Sequence, residues 1–214
     1  MNINKKYVYI GDLSKKDSKI IQYYAKKAKN VLEFGVGGSS QIFAQCCDFN
    51  SKIVCVDTCK EWIESTQLVL SEIEKDRPIA KIKFVQYDSF LNDKKENYDV
   101  IFNDGLGRKR LEFALQTWSN LKSDGGVLIF HDTRREKDCK CMCEIITKFY
   151  NEIDLIEMNK NDSNISIITK KPLQEYEDWN VTEKKEDWMK NARNKNRPKN
   201  WTSIMRDKIH KQKD

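Results

Sequence analysis

VLEFGVGGSS, residues 31–40, decides the fold. A short apolar run of strand character ends directly in Gly35, Gly37 and Gly38, and SSQIFAQCC at 39–47 continues as a helix. Glycines at such a junction let the backbone approach a ligand. The helix starting near Ser39 turns its free N–H groups the same way. A strand, a glycine turn and a helix in that order open a parallel sheet rather than a hairpin.

The same alternation continues outward on both sides. Residues 14–29 read as a helix, with Ser14 as N-cap, Asp17 three residues on, and Ile20, Ile21, Tyr24 and Ala28 on one face. Downstream, KIVCVD at 52–57, KIKFVQYD at 81–88, YDVIFND at 98–104 and GGVLIFHD at 125–132 read as strands. Helical stretches at 61–75, 109–121 and 143–150 separate or follow them. IDLIEMN and NISIITK around the turn-rich KNDS read as a terminal hairpin. Strands alternating with helices predict a doubly wound α/β sheet with helices on both faces and ligands beyond the C-terminal strand ends. Seven of the eight glycines, and the acids Asp57, Asp88, Asp104 and Asp132, fall at or just beyond strand ends. Several strands deliver polar residues to one edge, and that is the main functional signal.

The dinucleotide fingerprint G-x-G-x-x-G would need a third glycine where Ser40 stands, and Glu33 inside the strand end would repel a pyrophosphate. A carboxylate there suits a ligand bearing positive charge. Asp57, 22 residues after Gly35, is placed to accept both hydroxyls of a ribose. Asp88 is placed to accept from an adenine amino group.

Taken in order, VLEFGVGG, IVCVD, FVQYDS, YDVIFNDG and GGVLIFHD make the chain resemble the class I S-adenosylmethionine-dependent methyltransferases over roughly residues 14–170. The resemblance implies a Rossmann-like seven-stranded sheet with an antiparallel last strand. It implies Glu33, Gly35 and Gly37 near the methionine part of the cofactor, Asp57 on the ribose, Asp88 with Ser89 by the adenine, and Ser39 and Asp104 as further cofactor-binding residues. The loop after the fourth strand, NDGL, lacks the prolines typical of amine methylation, and no proline precedes a cysteine, as C5 methylation of cytosine would want. A hydroxyl acceptor is then favoured. NDGLGRKR and HDTRR look like the subset that methylates sugar and glycan hydroxyls. His131 is the expected general base, beside Asp104 and Asp132. In metal-dependent members such acids hold a divalent cation, here Mg²⁺ or Mn²⁺ on Asp104 and Asp132. Arg108, Arg110, Arg134 and Arg135 are candidates for an acidic or phosphorylated acceptor.

Composition narrows the alternatives. The 214 residues are 34% charged, and no apolar run approaches the length of a membrane span. Seven cysteines without a secretion signal point to a reducing, cytoplasmic setting. CKCMC at 139–143 has spacing unsuited to zinc. Residues 190–214 carry nine Lys/Arg against two Asp/Glu, a net of +7, so the chain's +6 leaves −1 on residues 1–189. A methyltransferase domain over 1–171 and a charged appendage over 172–214, packing by Trp179, Trp188 and Trp201, are expected. An RNA methyltransferase using the basic tail and a non-catalytic nucleotide-binding module are the competing readings. Nucleic acid is the less favoured partner, because a basic run is more often a solvated face.

Overall fold

In a computed structural model, residues 7–90 and 96–171 are described; the tail and its three tryptophans lie outside them. Seven strands form one sheet in the order β3-β2-β1-β4-β5-β7-β6. They are β1 (Asn30–Phe34), β2 (Lys52–Asp57), β3 (Ile82–Gln86), β4 (Val100–Asn103), β5 (Val127–Phe130), β6 (Ile153–Glu157) and β7 (Ser166–Lys170). The first five run parallel, and β7 is antiparallel to both β5 and β6. The expected seven-stranded, doubly wound sheet is therefore the one observed.

Strand residues alternate between two buried faces, as the period of two requires. Val31, Ile53, Phe102 and Ile129 pack under α1 (Lys15–Ala25) and α2 (Gly38–Cys46), with α3 (Lys60–Asp76) beside them. Leu32, Val54, Ile101 and Leu128 pack under α5 (Gly107–Thr117) and α6 (Glu136–Lys148). Phe34 stacks on Phe113 at 4.6 Å between ring centres, which fixes α5 against the end of β1.

Three local differences from the sequence reading have plain causes. The first helix stops at Ala25 rather than 29. The third strand ends at Gln86, and the chain winds at once into the short α4 (Tyr87–Phe90), so Asp88 leaves the sheet edge. The sixth helix begins at Glu136, seven residues before the expected start, because Cys139, Met142 and Cys143 supply a buried helical face. All seven cysteines are free, as a packing role for CKCMC requires.

β2 and β4 flank β1, so the chain departs to opposite sides of β1 after it and before β4. The crevice at that switch point opens where the C-terminal ends of β1, β4 and β5 meet.

Candidate active site

The crevice is a cavity of about 980 Å³. Its walls are the glycine loop, Asp57 and the face of α3 around Trp62, the ends of β4 and β5, and a strap, residues 11–14, that leads into α1. Among the described residues that line it are five aspartates, Asp12, Asp17, Asp57, Asp104 and Asp132, and no lysine or arginine. A cavity so lined accommodates a cationic ligand and opposes a pyrophosphate.

The glycine loop is shaped by contact with β4. Gly35 has φ +93°, and a Cβ on it would lie 2.6 Å from backbone atoms of Asp104 and Gly105. The Asp104 N–H donates to the Phe34 carbonyl at 2.7 Å, which locks the two strand ends together. Below the loop, Glu33 is fully buried and receives the hydroxyls of Ser39 and, at 2.6 Å, Ser40. Burial pushes its pKa up to about 7, against the lowering effect of hydrogen bonds from Cys55, Ser39 and Ser40. Glu33, expected near the methionine part, does not itself line the cavity; Ser39, which it holds, does.

Asp57 accepts the Val36 N–H through Oδ2 at 2.9 Å and the Cys59 N–H through Oδ1 at 2.8 Å. Each carboxylate oxygen keeps a lone pair for a ligand hydroxyl. Asp88 and Ser89 are exposed on α4 and do not line the cavity. These two are the residues expected by the adenine; Trp62, beyond Asp57, is the aromatic side chain in the cavity lining on that side.

At the ends of β4 and β5 the structure brings Asp104, His131 and Asp132 together, with potential ligand atoms all within 4.8 Å of one another. Asp132 has φ +59°, a left-handed conformation that aspartate tolerates and that turns the chain sharply after β5. Thr133 then ties this turn to the terminal hairpin through Ser166 at 2.6 Å. His131 Nδ1 lies 3.1 Å from Asp104 Oδ2 and 3.6 Å from Asp132 Oδ2. Its Nε2 lies 3.6 Å from Asp17 Oδ2. Neither ring nitrogen has a partner in hydrogen-bond geometry. Burial alone would lower the imidazole pKa, but Asp104 and then Asp17 outweigh it and hold it above the ordinary value.

Three of the four arginines expected to meet an acidic acceptor are spent on the protein itself. Arg110 is buried and donates to the Gly105 carbonyl at 2.7 Å, the His131 carbonyl at 3.0 Å and Asp104 Oδ1 at 2.6 Å. It also pairs with buried Asp138 at 3.2 Å. Arg134 pairs with Asp162, and Arg135 with Asp132 and Asp138. Arg108 is exposed on α5 and does not line the cavity. Desolvation explains Arg110: a guanidinium taken out of water must satisfy its fork inside the fold.

Ser14, Asp17, Trp62 and Asn164 belong to the cavity and escaped the sequence reading. In sequence Ser14 and Asp17 carry only a helix-capping signal, and nothing local links them to β5.

A family model described as "Methyltransferase domain" matches residues 32–133. No curated protein matches the chain. Among solved structures, the chain is similar to an O-methyltransferase from Bacillus cereus in complex with SAH. That match has 17% identity and TM-score 0.58, covering 75% of this chain and 83% of that one. It is similar to the O-methyltransferase TomG of Streptomyces achromogenes, involved in tomaymycin synthesis and in complex with SAM. There the identity is 12% and the TM-score 0.57, over 74% of this chain and 81% of that one. It is also similar to the SAH-bound methyltransferase PaMTH1 of Podospora anserina, with 13% identity and TM-score 0.55, over 74% and 79% of the two chains. Residues 32–133 thus match a methyltransferase domain model, and the seven-stranded sheet around them has the fold of these solved structures.

Proposed function

We propose that the chain moves a methyl group from S-adenosylmethionine to a hydroxyl of a small acceptor, a sugar or glycan hydroxyl being the favoured one. The observation that carries this reading is the meeting of two sets of residues in one cavity: the glycine loop with Asp57, and Asp104, His131 and Asp132 across from it.

In this reading Asp57 holds the ribose, Gly35, Gly37 and Ser39 shape the methionine end, and Glu33 fixes Ser39 from below. Methyl transfer from a sulfonium is an in-line displacement, so alignment and exclusion of water supply much of the rate. The acceptor hydroxyl also has to lose its proton. His131 is the acceptor of that proton, because it lines the cavity beside Asp104 and Asp132 and its ring nitrogens lack hydrogen-bond partners. A second use of the same imidazole is favoured by the convergence of three donors. Asp104, His131 and Asp132 fit a divalent cation, with an orphaned buried imidazole nitrogen among them. Such an ion, when bound, would lower the pKa of the acceptor hydroxyl.

The test is transfer of a labelled methyl group to a panel of sugars and polyols. His131→Ala is expected to slow transfer roughly 10²–10⁴-fold with cofactor affinity kept. EDTA separates the two uses: lost turnover, restored by Mg²⁺ or Mn²⁺, assigns the imidazole to a metal. If His131→Ala, Asp104→Asn and Asp132→Asn all transfer at the wild-type rate, the assignment fails.

A further inference from the structure

We infer that Asp12, on the strap before α1, is a cofactor-binding residue whose carboxylate takes the α-ammonium of the methionine part of S-adenosylmethionine. This rests on the reading that the cavity holds that cofactor with its methionine end at the glycine loop.

Five aspartates line the cavity, and their partners tell them apart. Asp17 accepts from the Ser14 hydroxyl at 2.6 Å and the Asn164 N–H at 2.8 Å. Asp57 accepts the Val36 and Cys59 N–H groups. Asp104 pairs with Arg110, and Asp132 with Arg135. Asp12 has neither a hydrogen bond nor an ion pair among the described residues.

Backbone packing fixes its place instead. The Leu13 N–H donates to the Ile10 carbonyl at 3.2 Å, so the strap is a tight turn. Gly11 passes so near the glycine loop that a Cβ on it would lie 2.7 Å from the Gly38 Cα. A Cβ on Gly38 would in turn run into the Ile10 carbonyl and stand 3.3 Å from Asp12 Oδ1. The strap is thus seated on the loop after β1, with Asp12 Oδ1 beside the first residue of α2.

The start of a helix favours a negative charge. No N–H there donates to Asp12 among the described residues, so its lone pairs are left for a ligand. The methionine part presents an ammonium and a carboxylate. The N-terminal turn of α2 suits the carboxylate, and Asp12 beside it suits the ammonium. An amine on the acceptor would offer Asp12 the same chemistry. In this reading, however, the acceptor hydroxyl belongs at Asp104, His131 and Asp132, whereas Asp12 stands at Gly38. The family-matched segment begins at residue 32, so this contact comes from chain outside it.

Calorimetry on the full chain tests this with SAH and its deaminated analogue, which lacks only the amino group. The wild type is expected to bind SAH about 5–10-fold more tightly than the analogue, a charge-assisted hydrogen bond discounted for the exposure of Asp12. Asp12→Asn should weaken SAH by a similar factor and leave the analogue bound as before or slightly better, since a negative charge has gone. Equal affinity of the wild type for the two ligands would overturn the inference without any variant. Equal weakening of both ligands in Asp12→Asn would overturn it as well, because the strap would then act by packing alone. An unchanged SAH affinity together with a raised KM for an amine-bearing acceptor would hand Asp12 to the acceptor. A wild type that binds neither ligand would refute the cofactor reading itself, and the inference would fall with it.

Discussion

Gly35 and Gly105 pass so close that a Cβ built on Gly35 would lie 2.6 Å from the Gly105 nitrogen. The loops after β1 and β4 are held at this distance, which brings the C-terminal ends of the two strands together at the crevice.

Gly35→Ala should therefore cost more than its backbone angle alone. Gly125, at φ +69° with nothing within 4 Å of where a Cβ would stand, is the control for the angle. Gly125→Ala is expected to cost about 1–2 kcal/mol. Gly35→Ala is expected to cost clearly more and to weaken SAH binding at least about tenfold. Urea melts and calorimetry on both variants check this, and equal losses of stability would show that the close approach is relieved at no cost.

Asp57 accepts two backbone N–H groups and offers its remaining lone pairs to the cavity. Asp57→Ala should weaken S-adenosylmethionine binding about tenfold or more, since charge-assisted hydrogen bonds are worth roughly 1.5–3 kcal/mol each. Unchanged affinity in a folded variant would place the ribose elsewhere.

Glu33 gives stability a pH dependence of known sign. Its folded pKa, about 7, lies above the ordinary 4.5, so the folded state holds the proton more tightly than the unfolded state does. The contribution is full below about pH 4.5 and is lost as pH rises through 7, amounting to about 3 kcal/mol in order of magnitude. Glu33→Gln keeps a partner for the Ser39 and Ser40 hydroxyls and lacks the titration. The stability of the variant minus that of wild type should rise between pH 5 and pH 8 in denaturant titrations; a flat difference would contradict the burial argument.

Arg110 distinguishes a structural cation from a substrate contact. Arg110→Met would leave Asp104 and Asp138 without their buried partner, at a cost of about 3–5 kcal/mol. Arg110→Lys should recover only part of it, because an ammonium cannot span the carbonyl and carboxylate acceptors that the guanidinium fork reaches. A variant that melts like wild type but has a raised acceptor KM would return Arg110 to substrate binding.

In the proposed reaction His131 sets the acid limb of the rate. Asp104 and Asp17 hold its pKa above 6.5 in spite of burial. If its neutral form is the base, kcat/KM should rise with pH and level off with a midpoint above that value. A midpoint at or below 6.5 would mean that another group accepts the proton.

Much of the fold was legible because periodicity and punctuation are local. Residues 31–38 announce a strand and a glycine turn, the apolar runs at 52–57, 98–104 and 125–132 announce further strands, and both faces of each are buried as such runs require. The meeting of Asp104, His131 and Asp132 was legible as well, because it follows from adjacent strand ends. Where an element boundary hung on tertiary packing the reading slipped: β3 gave way to α4 at Tyr87, and α6 began earlier than its apolar pattern implied.

The sequence by itself determined the alternation of strand and helix, the glycine junction after β1 and the placing of Asp57, Asp104, His131 and Asp132 at strand ends. Each of these depends on neighbours a few residues away. Only the tertiary structure decided which charges are free to act. Arg110 is consumed by Asp104 and Asp138, and Asp17, which reads in sequence as a helix cap, faces His131 from 114 positions earlier in the chain. Coulomb interactions and desolvation depend on distance in space, and no spacing along the chain encodes that distance.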